Sequence, residues 1–162
     1  MDIQPLLQAL QDTSVATFIR ESGSAFPILE SVHVIGIALV FGTIAVVDLR
    51  LLGVASHRRS ALRLIQDLLP FTWVAFVACV ITGLLMFAAN ATTYAENTAF
   101  LCKMGVLMLA GLNMGVFHLG VFRRIAEWDT TLLPPNQARV AGFSSLALWA
   151  GVVFLGRWIA FL

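Results

Sequence analysis

Residues 30–50 read ESVHVIGIALVFGTIAVVDLR. An apolar run of this length matches the roughly 20 residues that a helix needs to cross a hydrocarbon core about 30 Å thick. It also carries a carboxylate and an imidazole near its start, and an aspartate and an arginine at its end. The whole chain shares this character. Of its 162 residues 59% are hydrophobic and 12% charged, against about 25% charged in soluble domains, and the mean hydropathy is +0.90. The sequence is that of an integral membrane protein whose natural partner is the lipid bilayer.

Three further runs have the same length and character, so spans are expected at about 26–52, 68–90, 98–122 and 138–161. The fold class is therefore all-α, an integral membrane antiparallel four-helix bundle forming a single domain over residues 1–162. The first connection, GVASHRRSALRLIQD, and the third, RRIAEWDTTLLPPNQAR, hold seven Lys/Arg once Arg50 is counted with its flank, and the second, ANATTYAEN, holds none. By the positive-inside rule the first and third face the cytoplasm and both termini are periplasmic. MDIQPLLQALQD lacks the cationic segment and cleavage site of a signal peptide, so the first span is expected to direct insertion. A multi-pass protein of the bacterial inner membrane is the resulting expectation. Residues 1–25 place Leu6, Leu7, Leu10, Phe18 and Ile19 at helical spacing, broken near Asp12, Thr13 and Ser14, and predict a short interfacial N-terminal helix or two. Leu133-Pro134-Pro135-Asn136 reads as a breaker followed by a helix start.

Several function classes find no support. Net charge is +1, without the basic surplus of a nucleic-acid surface. Cys79 and Cys102 have no CxxC spacing and read as packing residues. Ser144-Ser145 has no base at a matching depth, no zinc motif occurs, and Asn90 meets a glycosylation pattern by chance.

Ionisable residues inside a bilayer are costly and face a bundle interior, a partner or water. On an ideal helix Glu30 and Asp48 project about 60° from His33, with Ile37, Phe41 and Ile44 near the same line. At a rise of 1.5 Å per residue, Glu30 and His33 lie roughly 6 and 10 Å below the outer boundary, and Lys103 and Arg157 about 8 Å below it. Glu30, His33, Lys103 and Arg157 thus form one outer layer whose charges nearly balance. Asp48 and His118, about 33 and 30 Å down, form a secondary polar layer beside Arg50, with Asn113 between the layers at about 22 Å.

His33 and His118 differ in depth by roughly 20 Å, so one iron cannot take both. His57 belongs to a cytoplasmic loop, where a solvated side chain is expected. His33 is left as the single candidate metal ligand, for haem b, with Lys103, Arg157 and Glu30 around it and Lys103 and Arg157 suited to the propionates. Phe26, Phe100, Trp158 and Phe161 are candidate walls. The alternative is that the polar layers are structural, in a non-enzymatic subunit or scaffold. A copper site drawing on Met86, Met104, Met108, Met114, Cys79, Cys102 and His33, or proton transport between the layers, is a third reading. Gly111 and Gly115 form a GxxxG spacing and Gly36, Gly42, Gly151 and Gly156 notch other spans, which suits either packing within the bundle or a homo-oligomer or larger complex.

The segments ESVHVIGIALVFGTIAVVDLRLLG, LLPFTWVAFVACVITGLLMF, FLCKMGVLMLAGLN and LWAGVVFLGRWIAFL together resemble a bacterial four-helix integral membrane family defined only as a domain of unknown function. More distantly, the first-helix His, the TGLL of the second helix and the third-helix Lys are similar to HemJ-type protoporphyrinogen oxidases and to CopD-type membrane domains. That likeness implies a haem-associated role for His33 and a functional role for Lys103. The function expected is a haem-b protein of electron transfer or tetrapyrrole oxidation, an oxidoreductase if it is an enzyme, served by a quinone or a redox protein.

Overall fold

The computed structural model describes residues 3–55, 59–131 and 133–161; His57 lies outside them. The chain forms α1 (Gln4–Gln11), α2 (Ser14–Glu21), α3 (Ala25–Leu51), α4 (Ala61–Ala89), α5 (Ala91–Glu96), α6 (Thr98–Leu119), α7 (Ile125–Trp128) and α8 (Asn136–Trp158), with no strand among the described residues. Four segments, built on α3, α4, α6 and α8, are long and apolar enough to cross a membrane. Large apolar side chains such as Ile35, Val74, Met108 and Val116 point outward from them. Such an exterior suits lipid, where apolar surface carries no hydration cost.

Local chemistry sets the boundaries. Thr13 ends α1 and starts α2, its Oγ1 accepting from the Ala16 amide at 3.4 Å. Pro135 precedes α8, supplying the fixed backbone angle of a helix entry. The second long helix begins at Ala61 rather than near 68, because its first turns are amphipathic. Ala61, Leu64 and Ile65 are buried while Arg63, Gln66 and Asp67 face outward. Pro70 is carried inside α4.

The start of α4 is held from another loop. Ser60 Oγ accepts from the Arg63 amide at 3.2 Å and donates to Asp129 Oδ2 at 2.6 Å, while Asp129 Oδ1 accepts from the Leu62 amide at 2.7 Å. Burial opposes the Asp129 carboxylate, but the Ser60 hydroxyl, the Leu62 and Ala61 amides and the Arg50 guanidinium outweigh it and hold its pKa below the usual carboxylate range. A carboxyl that is more acidic folded than unfolded contributes its full stability above the unfolded value of about 4 and loses it as pH falls through the folded one. Asp129→Asn is therefore expected to remove part of the acid limb of the pH–stability profile and to cost about 1 kcal/mol of capping at neutral pH. Unfolding measured at several acidic pH values checks this; an unchanged acid limb refutes it.

Four helices in antiparallel order pack as a chain of neighbours: α4 on α3, α3 on α8, α8 on α6. Among the described residues α4 and α6 do not pack along their lengths. They are bridged only near their ends. At one end Leu51, Ala61, Ile65, Phe117, Ile125, Trp128 and Ala138 form a shared apolar cluster. At the other, the rings of Phe87, Tyr94 and Phe100 stack with centroids 5.5 to 6.4 Å apart, linking α4, α5 and α6. α1 and α2 lie at this second end, against α4 and its neighbours α5 and α3.

Candidate functional site

The outer layer depends on missing Cβ atoms. A Cβ at Gly36 would stand 2.6 Å from Cys79 Sγ, so glycine there lets α3 approach α4 closely. One turn toward the amino-terminal end of α3, the His33 imidazole lies against Gly83, where an added Cβ would be 3.2 Å from Cε1. His33 Nδ1 is 2.8 Å from Thr82 Oγ1. Thr82, 6% exposed, also places Oγ1 2.7 Å from the Ala78 carbonyl oxygen. Two oxygens at that distance need a proton between them, and the hydroxyl has only one. Thr82 therefore donates to Ala78 and accepts from His33, which assigns the imidazole proton to Nδ1. The lone pair is left on Nε2.

Lys103 reaches the same region from α6. Its Nζ lies over Gly156 of α8, at 3.5 Å from where a Cβ would be. Its charge acts on both His33 and Cys79. Among the described residues the ammonium has no hydrogen bond and no ion pair. His33 on α3, beside Cys79 and Thr82, thus lies within electrostatic range of Lys103 on α6, while the Lys103 side chain itself rests on α8 at Gly156.

Glu30 and Arg157 stand apart. Both are exposed; Arg157 places Cζ 4.9 Å from the Phe161 ring centroid. Burial pushes the Tyr94 phenol up, and the neighbouring Glu30 carboxylate adds to this, so Glu30 belongs with the aromatic stack. The charge pairing expected of the outer layer is not formed: among the described residues the single ion pair is Arg124–Glu127, exposed and far along the chain. Equal depth on ideal helices does not make side chains meet, because depth leaves rotation and neighbour order open. Of the candidate aromatic walls, Phe100 is in the stack, Trp158 stacks on Phe154 at 5.0 Å and approaches Phe161, and Phe26 makes no ring contact among the described residues.

The secondary layer also divides. Asn113 donates from Nδ2 to the Ala141 carbonyl at 3.0 Å and ties α6 to α8. His118 uses Nδ1 on the carbonyl of Met114, one turn back, and packs on Phe122 at 4.9 Å. Asp48 is buried, 4% exposed, and faces the Ser145 hydroxyl on α8. Arg50, two residues further on, points elsewhere, as side chains at that spacing on a helix do. It is fully buried, donating from Nε to the Arg59 carbonyl at 2.9 Å and from Nη2 to those of Asp129 and Thr131 at 2.9 and 3.2 Å.

Sequence reasoning placed Arg50 at the membrane boundary and missed this role. Thr82 and Gly83 carried a signal in hindsight, a hydroxyl beside a glycine at the depth of His33 on the facing helix. Among the described residues no three of His, Cys, Asp and Glu converge as they would to hold a metal by side chains alone. What this region offers is a single directed imidazole and an ammonium with no partner among the described residues.

A model of a family of unknown function, DUF6644, matches residues 10–162, and the chain belongs to that family. No curated protein and no solved structure matches it.

Proposed function

We propose that this DUF6644 member binds haem b or a closely related tetrapyrrole and acts in membrane electron transfer or tetrapyrrole oxidation. The observation that carries the reading is the orientation of His33: with the Nδ1 proton given to Thr82, Nε2 presents a lone pair. Metal-ligating histidines are commonly held in this way, the second nitrogen donating to a fixed acceptor that sets tautomer and ring angle. Haem would supply reversible one-electron chemistry at the iron. In this reading His33 would bind the iron and Lys103 would hold a carboxylate of the macrocycle. Arg157 and Glu30 stand apart from His33 and are exposed, where charged groups can meet a redox partner.

The unpaired ammonium of Lys103 adds weight. A network that only sets helix register would be expected to pair its charges, because an isolated charge between helices is costly. An anion from outside the chain satisfies it. The positive-inside pattern supports a site on the periplasmic side of a bacterial inner membrane, where a quinone or a periplasmic redox protein would reach it.

A second reading, a non-enzymatic subunit, rests on α6. Cβ atoms added at Gly105, Gly111 or Gly115 would meet nothing within 4 Å, so this helix keeps an open small-residue face of the kind helices use to dock in membranes.

Absorption spectra of the detergent-purified protein, oxidised and dithionite-reduced, separate the two readings. The haem reading expects a Soret band that shifts on reduction, vanishes in His33→Ala and survives in Lys103→Ala with affinity weakened roughly tenfold or more. A flat visible spectrum after haem supplementation, or an unchanged one in His33→Ala, refutes it and favours the subunit reading.

A further inference from the structure

Asp48 lies at the other end of the bundle from His33, on the α3–α8 crossing, and no cofactor at His33 is needed to explain it. Gly142 of α8 approaches so closely that a Cβ there would stand 3.1 Å from the Asp48 carbonyl oxygen. This closeness seals the Asp48 side chain in, at 4% exposure. The Ser145 hydroxyl faces the carboxyl, and Oδ2 is buried without a hydrogen-bond partner among the described residues.

No cation answers it. Arg50 on α3 spends Nε and Nη2 on loop carbonyls, and its Nη1 is buried with no hydrogen-bond partner among the described residues, so it makes no bond to Asp48. On α4, the Thr72–Thr43 hydrogen bond sets the register and puts Asp67 nearest in level, exposed. On α8, Arg139 lies three residues before Gly142 and is exposed, with Asn136 as its hydrogen-bond partner. α2, the remaining neighbour of α3, packs at its opposite end. No ion pair to Asp48 exists among the described residues. An ionised carboxylate so enclosed would leave a bare charge in an apolar bundle, which is far more costly than a neutral carboxyl with one exchangeable hydrogen.

The geometry points to Asp48 as a proton-binding site: enclosed with no cation to hold it ionised, the carboxyl carries a proton. The chain thereby holds a loadable acid inside the membrane, well separated from the outer site.

Dicyclohexylcarbodiimide, an apolar reagent that enters bilayers, tests this. It adds a protonated carboxyl across one C=N bond: the proton goes to nitrogen, the carboxyl oxygen bonds to the central carbon, and an acyl shift to nitrogen leaves a stable N-acylurea with no atom lost. Peptide mass spectrometry is expected to find one adduct on Asp48 at mildly acidic pH, absent in Asp48→Asn. Labelling should decline by about tenfold per pH unit once the carboxyl ionises.

A second measurement does not depend on access for the reagent. Wild type should lose stability relative to Asp48→Asn as pH rises above about 4, where the unfolded carboxyl ionises while the folded one keeps its proton, and the loss should level off once the folded carboxyl ionises too. Wild type that keeps or gains stability relative to Asp48→Asn as pH rises from about 4 to neutrality overturns the proposal, as does pH-independent labelling of Asp48.

Discussion

Arg50→Ala is expected to destabilise the protein by about 3 kcal/mol or more, since buried polar groups stripped of a charged partner each cost about 1–3 kcal/mol. The guanidinium is fully buried and binds three carbonyls, of Arg59, Asp129 and Thr131. Two of these belong to the connection before α8 and one to the connection before α4, so a single side chain at the end of α3 holds two loops in place. Arg50→Lys should restore little of the loss. A lysine ammonium is one point of charge, whereas the planar guanidinium reaches separate acceptors from separate nitrogens. Arg50→Met, which keeps most of the volume, should resemble alanine and show that the loss is one of hydrogen bonds rather than packing. Unfolding of the purified protein by heat or by denaturing detergent gives the comparison. A variant within about 0.5 kcal/mol of wild type, the range of ordinary surface substitutions, would show that water replaces the arginine without cost.

The helices were legible because their signals are local. Long apolar runs mark α3, α4, α6 and α8, Thr13 marks the break between α1 and α2, and Pro135 marks the entry to α8. The start of α4 was less so, since Arg63, Gln66 and Asp67 resemble a loop until Ala61, Leu64 and Ile65 are seen to share the buried side. For the polar side chains, depth along an ideal helix was the only ruler, and it groups residues by level alone. It put Glu30, His33, Lys103 and Arg157 together, yet Lys103 reaches His33 only through its charge, and Glu30 and Arg157 are exposed and apart from them. Which helices are neighbours, and how each is rotated, depends on where glycine permits close approach. Gly36, Gly83, Gly142 and Gly156 decide this by what the opposite helix presents to them, and nothing in their own sequence context says what that is. Arg50 failed to stand out for a related reason: the carbonyls it serves lie in loops roughly 10 and 80 residues away.

Gly142→Val should separate the two halves of the molecule and cost about 1–3 kcal/mol, the usual range for forcing extra carbons into a packed contact. A Cβ at this position would lie 3.1 Å from the Asp48 carbonyl oxygen and 3.1 Å from Leu51 Cβ. Neither atom is the end of a flexible side chain, so relief requires moving α3 against α8. That crossing joins the α3/α4 pair to the α6/α8 pair, because α4 and α6 do not pack along their lengths. A shift there would also loosen the enclosure of Asp48, increase its exposure to water and strand the Leu51 cluster. Gly151→Ala is the matched control. Its Cβ would meet Val106 Cγ1 at 3.7 Å, an ordinary contact, and replacing helical glycine by alanine is favourable by up to about 1 kcal/mol. Unfolding measured for both variants, with carbodiimide labelling of Asp48 as a local probe, distinguishes the two positions. Equal stability of Gly142→Val and Gly151→Ala would mean that the halves are held together elsewhere, with the aromatic stack of Phe87, Tyr94 and Phe100 the next place to test.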